Sequence, residues 1–252
     1  MVCFEFPIIE RVRTFLRLEY LFDRLHSAIN SDAEWAHHTA LQTLFELMEC
    51  ASRAELKLDM LQAMERERQI MSQQLAEGEP SVLDLKATIA ELADTSAALQ
   101  EVYQKFAQHL RENEWLMNIK QRMSVPGGTC QFDLPSYYLW QHLPPEERRQ
   151  DLLSWQASLV PTDKAVRILL RILRNKGTTT DCVAQQGNYQ QSGVGKGVHL
   201  LRVIMTSELG VVPEVSANKY LTHVRFLNAT KMEARGRQAS TDVPFQLVTC
   251  QF

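Results

Sequence analysis

Residues 124–144 read Ser124-Val125-Pro126-Gly127-Gly128-Thr129-Cys130-Gln131-Phe132-Asp133-Leu134-Pro135-Ser136-Tyr137-Tyr138-Leu139-Trp140-Gln141-His142-Leu143-Pro144. Proline fixes φ and removes a donor, while glycine takes backbone conformations that a Cβ forbids, so Pro126 to Gly128 should end a helix sharply and Pro135 should open the next. Phe132, Tyr137, Leu139 and Trp140 are too apolar for a solvated loop. The window is therefore expected to be a buried corner between helices.

Upstream of this corner the periodicity is helical. Phe4-Glu5-Phe6, closed by Pro7, alternates as a short strand does, and a helix follows from Ile8 to about Ile29. At about 100° per residue, Arg13, Arg17 and Arg24 fall within about 40° of one another, beside Tyr20. Residues from about Trp35 to Ala76 read as one long helix or two stacked ones, stopped by Glu77-Gly78-Glu79-Pro80. Ser81 with Asp84 resembles a capping box, and Val82, Leu85, Ile89, Leu92, Ser96, Leu99, Tyr103, Phe106 and Leu110 keep strict three–four spacing. An antiparallel hairpin inside a bundle is the simplest reading, with a parallel coiled-coil dimer as the alternative. The second helix of that pair is expected to extend past Leu116 to Arg122, just before the corner.

Downstream, Pro135–His142 and Pro145–Leu159 read as helices, and Thr162 should cap another that runs to Gly177 and carries Lys164, Arg167, Arg171 and Arg174 as a second basic stripe. Beyond Gly177 the pattern turns strand-like at Val198–Thr206, Lys219–Leu227 and Val243–Gln251, more weakly around Cys182–Gln191. The fold class is α+β: a mostly helical bundle domain over 8–177, then a smaller antiparallel β-sheet domain over 178–252, joined by residues 1–7 as a strand.

At 252 residues and 45% hydrophobic content the chain can bury a substantial core. It lacks an apolar run of the roughly 20 residues needed to span a bilayer, and it lacks a signal-peptide pattern, so a cytoplasmic protein without membrane insertion is expected. Cys3, Cys50, Cys130, Cys182 and Cys250 are scattered without CxxC spacing, which argues against a disulfide framework or a zinc site. The net charge of −3 is uneven: residues 31–160 carry 11 basic and 20 acidic side chains, residues 161–252 carry 12 and 6. That asymmetry suits a basic tail that meets an anionic partner, or two ends that attract each other.

Catalytic signatures are missing. Gly193-Val194-Gly195-Lys196-Gly197 fails the phosphate-loop pattern, because Gln190 stands where its first glycine belongs and Gly197 where Ser or Thr should follow the lysine. His37 and His38 are adjacent and would face about 100° apart on a helix, so they do not share a metal. Neither an enzyme nor a cofactor is expected. What remains is arginine, whose planar fork of donors suits carboxylates. The competing reading is that Arg13, Arg17 and Arg24 simply pair with acids of the helical body.

The wording SVPGGTCQFDLPSYYLWQHLP, with FEFPIIERVRTFLRLEYLFDRL near the start, IKQR before the corner and NKYLTHVRF in the tail, resembles the ZapD family of bacterial cell-division proteins. The resemblance covers essentially the whole chain. It implies a non-enzymatic homodimer that binds the C-terminal tail of FtsZ and bundles FtsZ filaments to promote Z-ring assembly at mid-cell. It further implies tail-binding roles for Arg13 and Arg17, Arg53, Arg111, Lys120, Arg122, Lys219 and Arg225, to which the stripe adds Arg24. The chain departs from the family pattern at Glu114, Tyr138 and Leu221. The rival readings are a nucleic-acid-binding module built on the basic C-terminal third, although no nucleic-acid motif supports it, and a helical coiled-coil scaffold.

Overall fold

The computed structural model describes residues 1–51, 55–77, 82–102, 106–192, 197–218, 220–229 and 236–252, apart from the side chains of Val82 and Leu83. Its contacts divide the chain into two compact units, Arg17–Leu169 and Met1–Leu16 with Leu170–Phe252.

In the first unit, α1 (Glu10–Ile29) buries Leu18, Leu21, Phe22 and Leu25, the apolar positions that recur at three and four residues. The stretch read as one or two helices resolves into α2 (Glu34–Cys50) and α3 (Leu56–Ala76). Helix α3 packs against α4 (Val82–Gln100). Lys57, at the start of α3, donates to the carbonyl of Gln100, the last residue of α4, and to that of Val102 just beyond it. The pair is therefore antiparallel, as the hairpin reading expects. The heptads do not continue as one helix to Leu110: α4 stops at Gln100, Ala107 is left-handed, and α5 (Gln108–Arg111) is a single turn. Within α4 the seam holds, with Leu92 and Leu99 buried. The capping box at Ser81, the stop at Gly78–Pro80 and the heptad position Tyr103 lie outside the described residues.

Helix α6 (Glu114–Met123) starts anew rather than extending what precedes it, because Asn113 caps it by accepting the Leu116 N–H. The corner follows as turns. Gly127 takes φ +70°, and a Cβ on Gly128 would stand 2.4 Å from the Arg122 carbonyl oxygen, so both glycines are sterically required. Helix α7 (Pro135–Gln141) then starts on proline, and α8 (Pro145–Gln156) passes through a short 3-10 turn into α9 (Val160–Asn175). Thr162 therefore lies inside α9 and caps nothing.

The corner is only half buried, contrary to expectation. Tyr137 and Trp140 are buried, whereas Phe132 is 80% and Leu139 67% exposed. Helical spacing explains Leu139: α7 is barely two turns long, and its inward face is spent on Tyr137, Trp140 and Gln141. The inward rings join Trp115 and Trp155 in a cluster with centroids 5.7 to 6.3 Å apart. Trp140 donates to Asp151 at 2.9 Å, and His38 shares a 2.6 Å hydrogen bond with the Tyr137 hydroxyl. Helix α2 touches α6, α7 and α8, which makes it the hub of this unit.

The second unit holds two antiparallel sheets. Strands β1 (Val2–Pro7), β2 (Thr178–Ala184), β4 (Leu200–Met205) and β7 (Val243–Cys250) form the first in the order β1-β4-β7-β2. The opening segment thus joins the sheet as predicted, with Phe4 opposite Val203. Strands β3 (Asn188–Ser192), β5 (Val211–Ala217) and β6 (Leu221–Asn228) form the second in the order β3-β6-β5. Leu201, Val203, Val224, Phe226, Phe245 and Leu247 from both sheets share one buried cluster.

Two details depart from the sequence reading. The weak candidate around Cys182–Gln191 is a reversal between β2 and β3, where Gln186 (φ +47°) and Gly187 (φ +72°) form the tight turn. Gln-Gly satisfies the two positive φ angles without the usual Asn-Gly or Asp-Gly signature. Strand β5 carries Pro213, which argues against a strand from sequence alone, but it lies at the sheet edge where a missing N–H is tolerated.

Candidate functional site

An open groove of about 740 Å³ runs along the helical unit, lined by Arg17, Tyr20 and Leu21 of α1, Phe45, Glu46, Glu49 and Cys50 of α2, and Lys120 of α6 with Ser124. Leu21 and Phe45 are largely buried and give the groove an apolar floor, while the Tyr20 ring stands exposed at its side. The three-residue step from Arg17 to Tyr20, and that from Glu46 to Glu49, place each pair on one face of its helix.

The cations differ in what already holds them. Arg17 is exposed, and among the described residues no hydrogen bond or ion pair engages it. Arg24 is committed: Nε donates to Thr43 Oγ1 at 2.8 Å, Nη2 lies 2.6 Å from Glu46 Oε1, and the guanidinium sits 5.9 Å from the Tyr20 ring centroid. Lys120 donates to Glu49 Oε1 at 2.8 Å. That hydrogen bond and the lysine charge, with a smaller contribution from Arg111, hold the Glu49 carboxyl below its ordinary range. Arg111 itself donates to the Met48 carbonyl at 2.7 Å. Arg122 lies 3.7 Å from Asp133, a loose and half-exposed pairing.

Arg13 and Arg225 belong to the other unit. Arg13 contacts Glu10 at 3.3 Å and the Pro7 carbonyl at 3.4 Å. Arg225 donates to Glu214 at 2.6 Å, beside a second groove lined by Phe6, Pro213–Ser216 and His223. Arg53 and Lys219 lie outside the described residues. Of the cations singled out by sequence, Arg17 and Lys120 thus line one groove, and Arg24 joins them through Glu46.

The second basic stripe is partly spent within the chain. Arg167 donates to Asp163 and Asp23, both at 2.7 Å, and Arg174 to both oxygens of Glu5. At the departures from the family wording, Glu114 opens α6, Leu221 opens β6, and the Tyr138 ring packs 4.2 Å from that of His142.

Sequence reasoning missed the far wall. Phe45, Glu46 and Glu49 carry no motif that singles them out, although the acids of the long helices suit a solvated face. The three-residue spacing of Glu46 and Glu49 beside an apolar position was the available signal.

The ZapD family model, described as a cell division protein, matches residues 16–225. The chain belongs to the ZapD family. It is also similar over its full length to a curated relative from Chromobacterium violaceum, named "Cell division protein ZapD", at 51% identity over 254 residues covering 100% of both chains. Membership makes this a cell-division protein. Among the described residues no helix is long and apolar enough to cross a membrane.

Proposed function

We propose that the Arg17 groove captures the C-terminal tail of FtsZ, and that a two-fold dimer of this chain holds two tails at once and so bundles FtsZ filaments at the mid-cell division site. On this reading the protein works in the cytoplasm without a cofactor, and the helical domain, residues 8–177, carries the capture.

One observation carries the reading: a guanidinium that no described residue engages stands at the edge of an open, apolar-floored furrow. Arginine presents a planar fork to a carboxylate, and the furrow can take the apolar side chain beside it. Bundling requires at least two sites per particle, which a symmetric dimer supplies, and linking two modest affinities raises avidity roughly 10²–10⁴-fold. Arg13, Arg111, Arg122 and Arg225, with Arg53 and Lys219, are auxiliary contacts on this view.

Co-sedimentation with purified FtsZ, with and without its C-terminal tail, tests the proposal. Pelleting should require the tail, and Arg17→Glu should abolish it while helicity and dimer mass stay unchanged. Tail-independent pelleting, or a dispersed monomer by light scattering at the working concentration, would overturn it. Retention on DNA at physiological salt would instead favour the nucleic-acid reading.

A further inference from the structure

The groove beside Arg17 is charge-mixed rather than basic. Its wall carries two cations, Arg17 and Lys120, and two carboxylates, Glu46 and Glu49. Lys120 is neutralised by Glu49, and Arg24 by Glu46. A purely acidic segment laid in this furrow meets one cation that is unengaged among the described residues, and two half-exposed carboxylates whose charge Arg24 and Lys120 offset only in part, each through one oxygen.

Those carboxylates remain available to a ligand. The Glu46 side chain is 54% exposed and that of Glu49 61%, and each meets its cation through the single oxygen Oε1. They lie three residues apart on α2, hence on one helix face about 5–6 Å from each other. Arg17 stands across from them on α1, with Leu21 and Phe45 on the floor.

We infer that the groove selects a segment of mixed charge: a carboxylate for Arg17, an apolar side chain against Tyr20, Leu21 and Phe45, and a Lys or Arg for Glu46 and Glu49. The inference rests on the proposal that this groove is the FtsZ-tail site and adds that the captured segment carries a base beside its acid. Glu46 and Glu49 then determine specificity, because they penalise acidic segments that lack the base.

Fluorescence anisotropy with two labelled synthetic peptides tests this on the full chain. One peptide carries aspartates, a central apolar pair and lysines; in the other the lysines are glutamines. Wild type should bind the mixed peptide roughly fivefold more tightly, the size expected of two exposed ion pairs. The double variant Glu46→Gln, Glu49→Gln should erase or reverse that preference. A preference that persists in the double variant, or a wild type that favours the lysine-free peptide, overturns the inference. So does equal tightening of both peptides in the double variant, which would make the carboxylates competitors for Arg24 and Lys120 instead. Both positions are surface-exposed and glutamine is isosteric; should the double variant fail to fold, the wild-type comparison alone decides. Arg17→Glu separates the two levels. If it weakens both peptides, the groove stands as the site whatever the carboxylates do, and if it weakens neither, the capture proposal falls together with this one.

Discussion

Arg17 and Arg24 lie two turns apart on one helix, yet their roles divide by what holds them. Arg24 is clamped by Thr43 and Glu46, so Arg24→Ala should cost about 1 kcal/mol in urea unfolding, after allowance for the partial exposure of the ion pair. Arg17 touches no acid of its own unit among the described residues, so Arg17→Glu should leave stability within about 0.5 kcal/mol while removing FtsZ co-pelleting. The angular grouping of the stripe was legible because it follows from 3.6 residues per turn. Its neutralisation was not, because Thr43 and Glu46 arrive from another helix. Histidine adds a prediction of a different kind. Burial, reinforced by the Arg148 and Arg149 charges, lowers the pKa of the fully buried His37, and burial alone lowers that of His38. The unfolded chain therefore binds more protons than the folded one below about pH 6.5, so stability is full above that value and falls as the medium is acidified. Thermal melts at about pH 7.5 and about pH 5.5 should show a lower Tm in acid, and His37→Leu should flatten that dependence whatever it does to Tm itself.

The corner shows how an element divides its side chains between core and solvent. Trp140→Ala should cost about 3–5 kcal/mol, because it empties a buried ring cluster and strands Asp151, whereas Leu139→Ala should stay within about 0.5 kcal/mol. Urea titrations of the two variants check the contrast, which composition alone could not have drawn between adjacent apolar residues. The helices with strong three–four spacing and the alternating strands β4, β6 and β7 were readable because each satisfies its period locally. Strand β5 and the Gln186–Gly187 turn escaped, since the first depends on lying at a sheet edge and the second on a positive φ at glutamine. The end of α4 at Gln100 was equally hidden, because the heptad pattern runs on across the break.

At the scale of the whole molecule, residues 161–252 carry a surplus of six positive charges, part of which is met by acids from elsewhere in the chain, Glu5 and Asp23. Arg174 and Arg202 both engage Glu5, Arg225 engages Glu214, and Arg167 engages Asp23 and Asp163. Of the two explanations for the charge asymmetry, mutual attraction of the chain's own groups therefore accounts for these four arginines. Electrophoretic mobility shift at about 150 mM salt should show no retained DNA, since binding to duplex is carried by phosphate contacts that salt weakens steeply. The proposed capture of FtsZ should also weaken as salt rises, because the exposed charges lie within screening reach, and pelleting across a salt series measures the slope.

Strand β1 has its hydrogen-bonding neighbour in Leu200–Met205. On a ribosome adding roughly 5–20 residues each second, this strand must wait on the order of ten seconds or more for the strand that accepts it. Throughout that interval Phe4 and Phe6 lack the partner strand they pair with, so chaperone capture of nascent chains is expected to peak just before β4 is made. Slowing translation over the stretch that precedes β4 should lengthen that exposure and lower the yield of folded protein.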